Sequence, residues 1–134
     1  MGCRSGLYAD NNIAQDLDVG NTINFGRPVR RYGCNANIDG GNIVLRGEGY
    51  YLVLLNFVIT NNSEAVITPT ITLYKDGTAY AGAYDTNTIA VGATESLAIP
   101  CMVRETCGCD STLTAVLSGS DAVISSATAT VVKL

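Results

Sequence analysis

The stretch that decides the fold is NIVLRGEGYYLVLLNFVITNNSEAVITPTITLYKDGTAY, which runs from Asn42 to Tyr80. A short apolar strand ends at Gly47–Gly49, where small residues permit a bend with positive φ. The densely apolar segment Tyr50–Thr60 follows. Asp76-Gly77 then predicts a type I′ hairpin, because this dipeptide tolerates the two positive φ angles of that turn. The order of these segments predicts antiparallel β structure.

The rest of the chain repeats this alternation of short apolar runs and turn signals. Turns rich in Asn, Asp and Gly recur roughly every 8–12 residues, which is typical of an all-β sandwich or barrel. No stretch has helical periodicity, residues 29–37 give no strand pattern, and no linker divides the chain. A length of 134 residues suits one domain, so residues 1–134 are predicted to form a single all-β domain.

Charge is scarce in this chain. Charged residues make up 15% of the sequence and hydrophobic residues 47%, whereas charged residues are about a quarter of a typical globular domain. A surface with so few charges predicts that part of it is covered in an oligomer. The net charge of −4 argues against nucleic-acid binding through phosphates, which requires a basic face.

The segment Tyr50–Ile59 is apolar almost throughout. Such a strand is expected to be covered on both faces, by its own core on one side and by another subunit or sheet on the other. It is far shorter than the ~20 residues that a membrane-spanning helix needs. The first residues, Met1–Gly6, contain no apolar signal region. We therefore expect a soluble chain with no membrane partner.

The residue types present do not suggest catalysis. The chain contains no His, so neither a Ser-His-Asp nor a Cys-His arrangement can be assembled within one chain. Its two lysines, Lys75 and Lys133, stand beside a hairpin turn and next to the chain end, where neither is expected to serve as a base. We predict that the protein is not an enzyme, with no catalytic residue and no cofactor.

Five cysteines stand at positions 3, 34, 101, 107 and 109. Free thiols are the default for an odd count without a secretory signal, and disulfides or a metal site are the alternatives. Because zinc takes four ligands and the chain has no His, a metal site would use Cys101, Cys107 and Cys109 together with Cys34, carboxylates or neighbouring subunits. An enzyme or metalloprotein that uses this cysteine loop remains one rival hypothesis.

The order of segments resembles the C1q/tumour-necrosis-factor-like jelly roll. The motifs that carry the resemblance are Gly49-Tyr50-Tyr51-Leu52-Val53 and Leu73-Tyr74-Lys75-Asp76-Gly77, and the run Ala127–Leu134 looks like the final core strand of that family. The resemblance covers Leu7–Leu134 and implies a jelly-roll β-sandwich that assembles as a homotrimer. Two departures are the lack of a collagen-like stalk and the lack of Trp.

Three further segments are similar to small structural proteins of bacteriophages and prophages of Gram-positive gut bacteria. They are Gly6–Ala9, Arg30–Cys34 and Val103–Cys107. This resemblance implies a virion component, namely a head-decoration, head-fibre or tail-associated protein, and of these we predict a capsid decoration or head-fibre knob. Its partners would be capsid or tail proteins, and it would be found in the virion and, during assembly, in the host cytoplasm.

The trimer implied by the first resemblance needs contact residues on apolar strands. The candidates are Tyr50, Leu52 and Leu54 on the long apolar strand, and Val131 and Leu134 near the C-terminus. The small residues of the C-terminal strand would let neighbouring chains approach closely.

A second rival hypothesis is a receptor-binding module of a phage tail or bacterial surface protein that recognises cell-surface glycan. Its contact candidates are Asn61, Asn62, Tyr80, Tyr84 and Asn87, which fall in or near predicted loops. Tyr suits binding surfaces because its ring is apolar and its tip is polar.

Overall fold

The alternation seen in the sequence becomes two antiparallel sheets in the structure, a computed structural model that describes residues 4–106 and 110–134. Within these residues there are eleven β-strands. They are β1 (Gly6–Asn11), β2 (Gln15–Leu17), β3 (Arg27–Tyr32), β4 (Ala36–Asp39), β5 (Asn42–Leu45), β6 (Gly49–Thr60), β7 (Thr70–Lys75), β8 (Thr78–Thr86), β9 (Thr94–Glu105), β10 (Ser111–Ser118) and β11 (Ala122–Lys133).

The strands form a two-layer sandwich with crossover connections. The first sheet has the order β3-β1-β11-β6-β9, with β2 added beside the start of β11. The second sheet has the order β4-β5-β10-β7-β8. Consecutive strands such as β5 and β6 therefore lie in different sheets, which is the connectivity of a jelly roll. The prediction of an all-β jelly-roll sandwich is confirmed.

The core lies between the two sheets and is apolar. Along β6 every second side chain points inward and is buried, from Tyr51 to Ile59. The Phe57 ring packs against Phe25 with their centroids 5.7 Å apart. The neighbouring strands β9 and β11 and the facing strand β10 add six fully buried side chains, Leu97, Ile99, Ala127, Ala129, Leu113 and Leu117. β6 is thus covered on one face by its own core.

Two short hairpins have the geometry that their sequences predict. At the turn from β7 to β8, Asp76 has φ of 51° and Gly77 has φ of 83°, the two positive values of a type I′ turn. The turn from β4 to β5 likewise has two glycines with positive φ, Gly40 and Gly41. Both turns connect neighbouring strands of the second sheet.

The expectation that residues 29–37 are irregular is wrong. They contain most of β3 and the start of β4. Every residue of β3 is exposed, so no buried face gave the sequence an apolar alternation. Pro28 fits because β3 is an edge strand, where a missing N–H is tolerated.

Within the part of the chain that the structure describes, we find no helix with the length and apolarity required to cross a membrane.

Candidate functional site

Part of the outer side of the first sheet is apolar, and we call this part the open face. Its central rows follow from the strand register, which places Val132 beside Leu52 and Leu52 beside Met102. The next row places Thr130 beside Leu54 and Leu54 beside Pro100. Tyr8 continues that row on β1. The open face comprises Tyr8, Leu52, Leu54, Pro100, Met102 and Val132.

Large apolar side chains on this face are open to solvent. Leu54 is 43% exposed and Met102 is 52% exposed, although both lie in the middle of long strands. A shallow hollow of about 250 Å³ lies beside Leu54 and is also lined by Ala98, Pro100, Thr128 and Thr130. An apolar, hollowed surface of this kind is typical of an interaction site.

Two tyrosines extend the open face at its margins. The ring of Tyr32 on β3 lies directly over Gly6, where a Cβ atom would overlap it. At the start of β6, the Arg104 guanidinium lies 5.4 Å from the centroid of the Tyr50 ring, which is cation–π distance. Both rings remain about half exposed, and they carry aromatic surface to two borders of the face.

Side chains of β8 cover the free edge of β9. The Tyr80 hydroxyl donates to the Met102 carbonyl at 2.8 Å, and the Ala98 N–H donates to Asp85 Oδ2 at 3.0 Å. Pro100, between them, has no N–H to offer. An edge with its backbone groups occupied resists the addition of a further strand. The open face is therefore available for packing, while the β9 edge beside it is closed.

The predicted trimer-contact residues divide into two groups. Tyr50, Leu52 and Leu54 lie on the outer side of β6, and Leu134 is exposed at the chain end. The prediction of Val131 as a trimer contact is wrong, because its side chain is 0% exposed and faces the subunit's own core. Alternation along β11 decides this, since Ala127, Ala129 and Val131 share the inner face.

The sequence reasoning missed Tyr8, Tyr32, Met102 and Val132 on or beside the open face. A signal existed for Tyr8 and Val132, because each alternates with buried neighbours in a period of two. Nothing local marked Tyr32, which joins this surface only because β3 pairs with β1.

The outer side of the second sheet differs in chemistry. It displays Thr70, Thr72, Thr112 and Thr114, and we call it the threonine face. Tyr84 also lies there, because it pairs with Thr72 across β7 and β8. The hydroxyls of Thr70 and Thr86 are hydrogen-bonded at 2.9 Å.

A cavity of about 290 Å³ lies at the end of the sandwich where β6 ends and β11 begins, and we call it the end cavity. It is lined by Asp16, Thr60, Asn61, Asn62, Ser63, Ile67, Asp121, Ala122 and Val123. The lining comes from β2, the end of β6 and the loop after it, and the turn before β11 with the first residues of that strand. Its groups are carboxylates, an exposed amide, hydroxyls and a few aliphatic side chains.

The predicted glycan contacts do not form one surface. The prediction of Asn61 as a glycan contact is wrong, because its residue is 1% exposed and its amide makes hydrogen bonds within the protein. It donates to the carbonyls of Ala65 and Ile89 at 2.9 and 3.0 Å and accepts from the Ser63 N–H at 2.9 Å. These bonds fix the loop that presents Asn62 to solvent.

The other three candidates lie elsewhere. The Tyr80 hydroxyl is bonded to β9, and Tyr84 is exposed on the threonine face. Asn87 is half-buried, and its side-chain oxygen accepts from the Thr88 N–H at 2.9 Å. Only Asn61 and Asn62 therefore lie together, and of these only Asn62 can touch a ligand.

The predicted cysteine site falls partly outside the described residues, which do not include Cys3, Cys107 or Cys109. Cys101 is half-buried at the core margin, and burial raises the pKa of its thiol above the ordinary value of 9.0. Cys34 is exposed. Across residues 4–106 and 110–134, no group of three or more Cys, Asp or Glu side chains converges on a possible metal position.

A buried polar cluster closes the opposite end of the sandwich. The Asn35 amide donates to the Arg46 carbonyl at 2.6 Å, and the Tyr51 hydroxyl lies 2.8 Å from the Gly47 carbonyl, to which it donates. Glu105 is 2% exposed, and its Oε2 has no hydrogen-bond partner among the described residues. Burial, and then the nearby Glu105 charge, raise the pKa of Tyr51.

Comparisons with known proteins identify the fold and nothing finer. No protein-family model matches the chain, and no curated protein matches its sequence. Among solved structures, it is similar to the Eiger TNF from S. frugiperda, with a TM-score of 0.63 over 98% of this chain and 91% of that one. The two sequences are 10% identical, so the likeness concerns the fold alone. The chain therefore has a TNF-like jelly-roll fold.

Proposed function

We propose that the protein is a structural component of a bacteriophage virion, a homotrimeric capsid decoration or head-fibre knob. The observation that carries the assembly part of this proposal is the open face. Two neighbouring rows on the outer side of the first sheet expose Tyr8, Leu54 and Met102 to water. Covering these side chains with other copies removes apolar surface from water, which stabilises the assembly by roughly 25 cal/mol per Å² buried.

The size of the sheet suits an interface between copies. Five strands spaced about 4.8 Å apart present a face roughly 24 Å wide. A stable interface of standard size buries about 800 Å² per partner. The open face, together with the tyrosines at its margins, can supply a large share of that area.

One edge of the first sheet is protected against assembly by strand addition. The β9 edge is occupied by Tyr80 and Asp85, so association through strand addition is disfavoured. If copies pack through their open faces around a threefold axis, the assembly is closed and has no copy with an unoccupied interface. A closed trimer is also the assembly that the C1q/TNF resemblance implies.

The virion assignment is supported by the three segments that resemble phage structural proteins, Gly6–Ala9, Arg30–Cys34 and Val103–Cys107. The first lies on β1, the second begins on β3, and residues 103–105 of the third end β9. A trimer without catalytic groups would act by geometry, as a rigid knob that coats or projects from a particle.

Light scattering coupled to size exclusion tests the assembly. We expect a mass of about three times the 14.0 kDa monomer, unchanged by reductant. Leu54→Glu places a charge in the middle of the open face and is expected to give monomers, because an unpaired charge is costly to bury. Thr114→Glu, on the threonine face, is the matched control and should leave the trimer intact. A wild-type monomer would contradict the proposal.

Mass spectrometry of density-purified particles tests the virion assignment. Particles released by the strain that encodes the chain should contain it, in a copy number divisible by three. If the chain stays entirely in the particle-free lysate, the virion role is wrong even where the trimer is correct.

A second candidate function, recognition of cell-surface glycan, is favoured by one observation. The end cavity combines carboxylates, an exposed amide and an aliphatic floor in a volume suited to a small ligand. The tyrosines that were predicted as contacts do not contribute to it.

A further inference from the structure

We infer that the end cavity binds one pyranose ring of a glycan through adjacent hydroxyl groups. This inference deepens the second candidate function, and it is independent of the trimer. It rests on three features of the described residues, namely a preformed cavity, side-chain acceptors with no internal partner, and a charge balance that selects among sugars.

The cavity is preformed because internal hydrogen bonds hold its walls. Asn61 uses its whole amide to fix the loop that carries Asn62 and Ser63. On the opposite side, the Val19 N–H donates to Asp121 Oδ1 at 2.9 Å and so fixes that carboxylate. Asp16 is positioned by β2, where it pairs with Val123. A ligand would therefore meet ordered walls, which lowers the entropy cost of binding.

Several polar groups of the lining remain available. The Asp16 carboxylate and the Asn62 side chain make no hydrogen bond to any described residue, and Asp121 keeps its Oδ2 oxygen. A carboxylate accepts two hydroxyl protons at once, and an amide both donates and accepts. Adjacent hydroxyls of a pyranose ring can both donate to and accept from such groups.

Charge and shape narrow the ligand class. Two aspartates line the cavity, and among the described residues no Lys or Arg does. Sugars that carry carboxylate, sulfate or phosphate are therefore excluded by repulsion. Ile67, Ala122 and Val123 form an aliphatic floor against which the C–H side of a ring can pack. The volume of about 290 Å³ has room for one ring, and further sugars of a chain would extend into solvent.

Saturation-transfer NMR with methyl glycosides of neutral hexoses tests the inference, with glucosamine and glucuronic acid glycosides as charge probes. We expect at least one neutral or amino sugar to bind with a millimolar constant, because one ring makes few contacts. The glucuronide should not bind, because the aspartates of the lining repel its carboxylate. Asp16→Ala and Asn62→Ala should each weaken binding at least tenfold. Asp39→Asn, an exposed carboxylate outside the lining, is the control for net charge and should bind as the wild type does.

The contrary outcomes are separable. Absence of transfer to every sugar at about 50 mM, a level far above the expected constant, would overturn the inference. Binding that survives both lining variants, with their folds verified by unchanged thermal unfolding, would also overturn it, because the ligand would then lie elsewhere. Transfer that requires added Ca²⁺ would mean that the sugar is held through a cation, and it would overturn direct hydrogen bonding to the lining. The mass of the same samples shows whether the trimer proposal stands or falls separately.

Discussion

The two outer faces of this sandwich follow the same backbone rules and differ in their chemistry. Each belongs to an antiparallel sheet in which five strands lie side by side and the inner side is apolar. The threonine face keeps the β propensity of branched side chains and adds hydroxyls that hydrogen-bond to water. The open face carries Leu54, Met102 and Tyr8 at equivalent positions. An antiparallel sheet needs only one apolar side to fold, so the second apolar side points to a use beyond folding.

The largest expected effect separates the core from the open face within a single strand. Phe57→Ala removes a buried ring that packs on Phe25 and should lower the free energy of unfolding by about 3–5 kcal/mol. Leu54→Ala, on the other side of β6, should cost the dissociated monomer less than about 1 kcal/mol. Urea unfolding at several protein concentrations measures both values. Equal losses in the monomer would mean that the open face is part of the subunit's own core.

The next effect concerns the close approach of Tyr32 to Gly6 at the margin of the open face. Gly6→Ala forces the ring away from β1 and should cost about 1–3 kcal/mol, as other overpacking substitutions do. Adding Tyr32→Ala removes the obstacle, so the double variant should be more stable than Gly6→Ala alone. Thermal unfolding of the four proteins in this cycle provides the measurement. A strictly additive cycle would show that the ring does not rest on Gly6.

A smaller effect is expected where β8 covers the edge of β9. Tyr80→Phe removes the bond to the Met102 carbonyl and should cost about 0.5–1.5 kcal/mol. Asp85→Ala frees the Ala98 N–H and should in addition promote slow aggregation, because it opens a strand edge. Tyr84→Phe, on the threonine face, is the control and should change neither property. Static light scattering measures the aggregation of the three variants. Equal behaviour of all three would show that Tyr80 and Asp85 do not protect the edge of β9.

The smallest expected effect is a loss of stability at high pH that comes from Tyr51 in the buried polar cluster. The pKa of Tyr51 is raised above its ordinary value of 10.0, so the unfolded chain loses this proton first. Stability from this group is present below about pH 10 and is lost as pH rises through the folded-state pKa. Tyr51→Phe should therefore lose less stability than the wild type does on raising the pH above 10.

That titration is best followed by chemical unfolding in a Cys101→Ala background, because burial raises the pKa of this thiol as well and has the same sign. Tyr50→Phe, one residue earlier on the outer side of β6, removes a phenol without touching the buried one. If Tyr51→Phe and Tyr50→Phe have the same slope against pH, the buried phenol does not contribute.

Much of the fold could be predicted from the sequence, because its signals are local. Asp76-Gly77 specified a hairpin turn, and the apolar run Tyr50–Thr60 specified a long central strand. Strand β3 was missed because it is an exposed edge strand, where neither face imposes a pattern. The site was predicted less well. Of the predicted contact residues, Leu52 and Leu54 lie on the outer side of β6 in the structure. Val131 and Asn61 are buried.

The sequence by itself determined that the chain forms antiparallel strands, where its tight turns lie, and that charged residues make up only 15% of it. These properties depend on neighbours along the chain, namely alternation, turn residues and composition. Only the tertiary structure decided which half of each alternating strand faces the core, that Tyr32 and Met102 join one surface, and that Asp16 meets Asn62 in a cavity. Strand pairing fixes these relations between residues far apart in sequence, and a shift of one residue in register would reverse every face.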